Sequence, residues 1–186
     1  MLLAAIVLLI AVAVGFALGG RLGTLGDLRL RRRWLVVAGL LAQAAGSVVG
    51  GPAHPAGLAA SALLLGAFLL HNRGIHGVGL VAVGVLCNAL VVGLNGAMPV
   101  SAHASGQARV STQALLRGDD PRHELAGPDT RLRYLGDVIP VLVPHRPHLA
   151  SPGDLLVLAG LAELVVAGMT AGRRRRPVAR WSPTAD

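Results

Sequence analysis

Residues 77–97 decide the fold: they read GVGLVAVGVLCNALVVGLNGA and contain no charged side chain. A helix of this length is roughly 30 Å long at about 1.5 Å per residue, which matches the ~30 Å hydrocarbon core of a bilayer. The chain contains further apolar runs at about residues 2–18, 34–50, 55–71 and 154–170. We therefore predict an all-α, polytopic membrane protein with about five transmembrane helices.

Composition also indicates a membrane environment. Hydrophobic residues make up 53% of the chain and charged residues 14%, and the mean hydropathy is +0.62. Too little polar surface remains to cover a water-soluble globule of this size. The net charge of +8 would suit a nucleic-acid binder. However, the arginines flank apolar runs and aromatic residues are scarce, so we expect no nucleic-acid partner.

The distribution of arginine predicts the orientation of the chain. Residues 19–33 contain five arginines, and five more follow residue 169. Residues 98–153, the long loop, contain six arginines that five acidic residues nearly offset. Because cytoplasmic segments carry an excess of arginine, we predict the N-terminus outside, the C-terminus inside and the long loop outside, in a bacterial inner membrane. Residues 1–171 would form one transmembrane domain, followed by a basic, disordered cytoplasmic tail at residues 172–186.

Two of the apolar runs have an alternative interpretation. The core of the third, residues 57–70, covers only about 21 Å and could be a re-entrant hairpin. That arrangement would place the terminal arginines outside, so we favour a full span extended by residues 54–56. The first run could be a cleaved signal peptide, but no basic segment precedes it.

Three polar side chains interrupt the predicted spans. Gln43, Asn88 and Glu163 all fall roughly 13–17 Å from the inner boundary at about 1.5 Å per residue. They could form one polar layer near the membrane midplane. Ordinary interhelical hydrogen bonds would explain such a layer, and a proton- or ion-coupled site is the alternative.

The long loop and its border contain a candidate polar site at the outer face. Its members follow the fourth span or lie in a compact mixture of acids and arginines: Asn95, Met98, Pro99, Asp129, Thr130, Arg131 and Asp137. Glycine and proline force the chain to turn after the fourth span. Ser151, Pro152 and Asp154 are expected to begin the last helix, with Ser151 as its N-cap.

Metal-dependent and nucleophilic chemistry are not predicted. Histidines lie in the long loop at positions 103, 123, 145 and 148, and His54 is predicted on the same side of the membrane. Pro147 breaks the helical spacing of the last two, and no cysteine or metallopeptidase motif accompanies them. The serines of the loop lack a nucleophile elbow, and the single cysteine, Cys87, lies inside a predicted span. We therefore expect no metal and no cofactor.

Two arginine clusters border the predicted inner face. They comprise Arg29, Arg31, Arg32 and Arg33 after the first span, and Arg173, Arg174, Arg175 and Arg176 after the last. Trp34 and Trp181 accompany them as interfacial anchors. A topology signal accounts for both clusters, and recognition of anionic lipids or of a partner is the alternative.

Four stretches carry a family resemblance: residues 29–35, 95–99, 129–140 and 151–154. In their order and spacing they resemble the bacterial integral-membrane family known as domain of unknown function 5317, over almost the whole chain. The resemblance implies a multi-span helical fold with its polar motifs at one membrane face. It implies no particular activity or cofactor.

We expect a non-catalytic membrane protein that binds a lipid or small molecule, or an accessory subunit of a membrane assembly. Its expected partners are membrane lipids, another membrane protein or a second copy of the chain. The small-residue pairs Gly15/Gly19 and Gly46/Gly50 could form a helix-packing face. A membrane-embedded enzyme acting on a lipid or isoprenoid at the outer face is the alternative. A proton- or ion-coupled transporter component ranks last, because five spans give no inverted repeat and no internal duplication is detectable.

Overall fold

A computed structural model of the chain describes residues 2–49, 53–117, 120, 122–142 and 147–174. Its α-helices are α1 (Leu2–Ala17), α2 (Trp34–Val49), α3 (Ala53–His71), α4 (Val78–Asn95), α5 (Ala102–Ala108), α6 (Gln113–Arg117) and α7 (Pro152–Arg174). Its strands are β1 (Met98–Val100), β2 (His123–Leu125), β3 (Ile139–Val141) and β4 (His148–Ala150). Short 3₁₀ segments occupy Leu22–Asp27 and Arg133–Leu135.

Within the described ranges, two helices are long and apolar enough to cross a membrane: α4, and the Pro152–Ala171 part of α7. Shorter apolar helices lie at Leu2–Ala17, Trp34–Gly46 and Ala59–His71. Many large apolar side chains on these helices are exposed, including Leu9, Leu41, Leu63 and Leu86. This mostly helical architecture, with its apolar helix surfaces, suggests a membrane protein.

The helices α4 and α7 cross closely because glycines face backbone at both contact points. A Cβ atom on Gly160 would lie 2.5 Å from the Gly77 carbonyl oxygen, and one on Gly84 would lie 2.5 Å from the Gly153 carbonyl oxygen. Larger side chains would push the helices apart. Gly77 and Gly84 are two helical turns apart, as are Gly153 and Gly160, so the two pairs align along one antiparallel contact face.

The other long helices also pack through glycine. α2 and α3 form a hairpin in which a Cβ atom on Gly46 would lie 3.0 Å from the Gly57 Cα atom. α3 begins at Ala53 and therefore includes the residues by which we extended the third span. α1 packs against the C-terminal half of α7, where Gly15 faces the Met169 side chain. Gly15 and Gly46 thus serve helix packing inside the chain.

The long loop contains β-structure, which corrects the expectation of a purely α-helical fold. β1 pairs with β2 in parallel, with Pro99 opposite Glu124, and β3 pairs with β4 antiparallel. A bridge also joins Val100 to Asp137. Strands of three residues are too short to show a hydrophobic period in the sequence. The loop therefore folds into an ordered layer that contacts both α4 and α7.

Candidate functional site

Asn88, Ser151 and Asp154 form a hydrogen-bonded cluster where α7 begins. The Ser151 hydroxyl accepts from the Asp154 backbone N–H (2.9 Å), and Asp154 Oδ2 accepts from the Ser151 N–H (3.1 Å). This reciprocal capping box confirms Ser151 as the N-cap. Asn88 of α4 completes the cluster: its Nδ2 donates to Asp154 Oδ1 (2.8 Å), and its Oδ1 accepts from the Ser151 hydroxyl (2.9 Å). Ser151 is fully buried, so the cluster fixes the start of α7 against α4.

Asp137 is held in the centre of the folded long loop. Its backbone N–H donates to the Pro99 carbonyl oxygen (2.8 Å), and its own carbonyl oxygen accepts from the Ser101 N–H (3.0 Å). A Cβ atom on the preceding residue, Gly136, would collide with the Pro99 carbonyl oxygen. Glycine at position 136 therefore allows Asp137 to approach β1, where only 9% of the residue is exposed.

His123 lies between two carboxyl groups. Its Nδ1 bonds Asp120 Oδ2 at 2.8 Å, and its Nε2 lies 3.8 Å from Asp137 Oδ2. Burial, and secondarily the nearby Asp154 charge, raise the pKa of Asp137 above its ordinary value. The Arg122 backbone N–H and His123 lower the pKa of Asp120, which favours its carboxylate form. The arrangement places an imidazole nitrogen beside a carboxyl whose pKa is raised, which suits acid–base chemistry.

The structure gathers most of the predicted outer-face residues beside a polar cavity of about 450 Å³. Asn95, Asp129, Thr130 and Arg131 line it, whereas Pro99 is buried in β1, opposite Glu124 of β2, and Asp137 lies beside His123. Met98 belongs to β1, and its backbone N–H donates to the Arg122 carbonyl oxygen (2.9 Å). The Asn95 and Thr130 side chains bond the loop backbone. Asp129 and Arg131 are exposed and remain available to a ligand.

The structure does not bring the predicted midplane layer together. Gly77 faces Gly160 and Gly84 faces Gly153, so the antiparallel register places Asn88 near the start of α7 and Glu163 beyond the start of α4. Asn88 bonds Ser151 and Asp154, while Glu163 lines an apolar groove beside α1 and Gln43 is exposed on α2. The predicted layer requires α4 and α7 to begin and end at common depths, and the stagger of the two helices separates Asn88 from Glu163 instead.

An apolar groove runs between α1 and α7. It encloses about 520 Å³, and its apolar walls include Val7, Ile10, Val14 and Val166. His76 and Glu163 are the ionisable groups among its described lining residues. A groove of this size can take an alkyl chain or a similarly shaped small molecule.

The predicted basic residues are exposed where their side chains are described. Arg29, Arg31, Arg32 and Arg33 all reach solvent. Arg173 and Arg174 end α7, and their side chains, like Arg175, Arg176 and the rest of the predicted tail, lie outside the described part of the chain.

Sequence reasoning considered His123 only as a metal ligand and missed its place between Asp120 and Asp137. An acid three residues before a histidine is too common to identify such a site, and Asp137 reaches it only through the pairing of β1 with distant segments. Among the residues that the structure describes, no group of three or more His, Cys, Asp or Glu side chains could hold a metal ion.

Comparison with known proteins identifies the family of the chain but does not indicate an activity. No curated protein and no solved structure matches it. The model of a family of unknown function, DUF5317, matches residues 27–166, three quarters of the chain's length. The chain therefore belongs to the DUF5317 family.

Proposed function

We propose that the chain is a multi-pass protein of a bacterial inner membrane that binds a lipid-like amphipathic molecule in the groove between α1 and α7. The observation that carries this proposal is the groove itself, because its apolar walls border a volume of ligand size beside two ionisable side chains, His76 and Glu163. A carboxylate at the edge of an apolar groove favours a ligand whose polar end donates a hydrogen bond or carries positive charge. This role requires no catalytic group.

Five spans, with the N-terminus outside and the C-terminus inside, agree best with the helix lengths and the arginine distribution. α3 contains 19 residues and α4 contains 18, which correspond to about 27–28 Å of helix. α1 and α2 contain 16 residues each, about 24 Å, so they need tilted neighbours or local thinning of the bilayer. The exposed arginines before α2 support an inner position for that loop.

The binding proposal is tested by native mass spectrometry of the full chain after gentle detergent extraction. We expect one lipid-sized molecule to remain bound per chain. Ala162 lines the groove, whereas Ala159 on the same helix is exposed and does not line it. Ala162→Phe should therefore reduce retention of the molecule by about tenfold or more, and Ala159→Phe should not. Equal retention by both variants would refute the groove as the site.

Glu163→Gln separates the two components of the groove. The substitution preserves side-chain shape and an acceptor oxygen but removes the ability to ionise, so a ligand with a cationic polar end should be weakened, while a neutral donor or a ligand held only by its alkyl part should stay. Topology is tested separately. A fluorescent reporter on the C-terminus should be bright in the cytoplasm, and in a Cys87→Ser background a Ser111→Cys variant should react with an impermeant thiol reagent from outside.

A second candidate function is an enzyme acting on a lipid or isoprenoid at the outer face. The observation that favours it is the Asp120–His123–Asp137 arrangement, together with the polar cavity that Asp129 and Arg131 line. Its test is the lipid composition of membranes with wild-type protein and with His123→Gln. A product that appears only with the wild type would favour the enzyme over the binding protein.

A further inference from the structure

Two five-residue segments of the chain share one pattern. Residues 31–35 read RRRWL and residues 131–135 read RLRYL. Each is arginine, a variable residue, arginine, an aromatic residue and leucine. The match is too short to register as a duplication of spans, and the two segments belong to different parts of the fold.

An asparagine holds the first segment in place. The Asn72 Oδ1 accepts from the Arg31 backbone N–H (2.8 Å), and its Nδ2 donates to the Arg31 carbonyl oxygen (2.9 Å). The same Nδ2 donates to the carbonyl oxygen of Phe68, one turn earlier in α3 (2.8 Å). Only 2% of Asn72 is exposed, so its amide is committed to the backbone of this loop.

A second asparagine holds the second segment in the same way. The Asn95 Oδ1 accepts from the Arg131 backbone N–H (2.8 Å), and its Nδ2 donates to the Arg131 carbonyl oxygen (2.9 Å). The same Nδ2 donates to the carbonyl oxygen of Val91, one turn earlier in α4 (2.8 Å). Each asparagine, at the C-terminal end of a helix, therefore bonds three equivalent backbone groups: the N–H and carbonyl oxygen of an arginine, and the carbonyl oxygen four residues earlier in that helix.

The backbone conformation after Arg31 also matches that after Arg131. We call each of these arginines clamped, because an asparagine bonds its backbone. Arg32 has φ +55° and Leu132 has φ +50°, left-handed values that side-chain-bearing residues rarely adopt. The Leu35 N–H then donates to the Arg32 carbonyl oxygen (2.9 Å), and the Leu135 N–H donates to that of Leu132 (2.8 Å). In both loops this unfavourable conformation directly follows an arginine whose backbone an asparagine bonds, which indicates a shared role.

The two loops lie at opposite ends of α4. Asn72 is in the turn that leads into α4, and Asn95 is its last residue. The 18 residues of α4 span about 27 Å, close to the ~30 Å hydrocarbon core. If α4 crosses the membrane as proposed above, one loop therefore lies at each headgroup region.

Both loops expose the side chains that suit this position. The arginines at positions 31, 33, 131 and 133 are exposed, as are Trp34 (57%) and Tyr134 (71%). The Arg133 guanidinium lies 4.9 Å from the centre of the Tyr134 ring. Guanidinium groups bind phosphate through paired hydrogen bonds, and tryptophan and tyrosine favour the membrane interface.

We propose that these loops are two copies of one binding site for the phosphate of a phospholipid headgroup, one in each leaflet. A topology signal alone would not account for them, because it needs only an excess of charge on one side. It does not need an asparagine bonded to the loop backbone, a left-handed residue or a copy on the opposite face. The asparagines instead fix the backbone at Arg31 and at Arg131, from which each pair of exposed arginines extends.

The test uses the purified full chain in detergent, titrated with phosphatidylglycerol and followed by native mass spectrometry. One double variant carries Arg31→Lys and Arg33→Lys, and another carries Arg131→Lys and Arg133→Lys. Both preserve charge, and therefore the topology signal, but remove the planar fork. Each should lose one of the two lipids bound at the loops or weaken it about tenfold. Arg21→Lys, and Arg109→Lys with Arg117→Lys, are controls that should bind like the wild type.

Asn72→Ala and Asn95→Ala test the clamps as positioning residues. Each variant keeps every arginine and should weaken the lipid at its own loop only. The lysine variants change exposed positions, so they remain informative if an asparagine variant fails to fold. Equal binding by the lysine variants and their controls, or equal binding of phosphate-free diacylglycerol, would overturn the proposal. Inorganic phosphate that displaces the lipid at millimolar concentration would show a soluble-anion site and would also overturn it.

The result of the headgroup experiment can be distinguished from the result of the groove experiment. Ala162→Phe should leave both headgroup sites intact, and the lysine variants should leave the groove ligand bound. If the unmodified chain binds no phosphatidylglycerol but still requires detergent, the loops are rejected as lipid sites while the membrane placement is retained.

Discussion

Replacing Gly84 with alanine should loosen the crossing of α4 and α7. The new Cβ atom would lie 2.5 Å from the Gly153 carbonyl oxygen and 2.9 Å from Val157 Cγ2. Non-bonded heavy atoms prefer about 3.5 Å or more, so the helices would have to separate by roughly 0.5–1 Å. Gly79 and Gly93 on the same helix provide matched controls, because a Cβ atom there meets nothing within 4 Å.

The expected magnitude follows from two opposing effects. Overpacking of a close contact costs about 1–3 kcal/mol, whereas alanine in place of glycine favours the helix by up to about 1 kcal/mol at every position. The difference between Gly84→Ala and Gly79→Ala therefore isolates the overpacking, about 1–3 kcal/mol. For a chain of this size that corresponds to roughly 2–12 °C in the unfolding midpoint.

The single cysteine supplies the assay. Cys87 is partly buried in α4, three residues after Gly84, and its reaction with a fluorogenic thiol reagent should rise as α4 separates from α7. The midpoint of this reaction on heating should be lower for Gly84→Ala than for Gly79→Ala and Gly93→Ala. If all three variants have the same midpoint, the glycine contacts do not determine the helix crossing.

Two further substitutions test the cluster at the start of α7 and the buried carboxyl of the long loop. Asn88→Ala should lower the unfolding midpoint in the same assay, because the buried Ser151 hydroxyl loses its acceptor at a cost of about 1–3 kcal/mol; an unchanged midpoint would mean that water replaces the amide. Burial raises the pKa of Asp137, so the folded protein binds that proton more tightly than the unfolded chain, and stability is lost as pH rises through the folded pKa. Asp137→Asn should therefore raise the midpoint at about pH 7 and change it little near pH 2.5, where the carboxyl is protonated in both the folded and the unfolded chain. A stabilisation that is equally large at both pH values would contradict this explanation.

The elements with strong local signals were predicted correctly. The last helix begins at Pro152 with Ser151 as its cap, because capping depends on residues only three positions apart. α4 ends at Asn95, followed by Gly96 with φ +89°, where the sequence indicated a turn. By contrast, the strands of the long loop were not predicted, since their partners are distant and each strand has only three residues.

Some residues that the sequence placed in one candidate site are neighbours in the structure, and others are far apart. The sequence placed Asn95 and Arg131 in one candidate site, and the structure joins these two residues by hydrogen bonds. The sequence also grouped Asn88 with Glu163, which the register of α4 and α7 separates. That register depends on which glycines of α4 contact which glycines of α7. The sequence contains many glycines, and it does not indicate which of them form the contact.

The sequence by itself determined the apolar helices, the arginine-rich segments between them and the family resemblance. These features depend on the composition and periodicity of continuous segments. They can be predicted from the sequence because the free energy of transferring a side chain from water to lipid depends mainly on that side chain. Only the tertiary structure decided the stagger of α4 and α7, the approach of Asp137 to His123 and the equivalence of the two asparagine-clamped loops. Each of these depends on contacts between residues far apart in the chain, where small differences in packing select one arrangement among many that the same hydrophobic pattern allows.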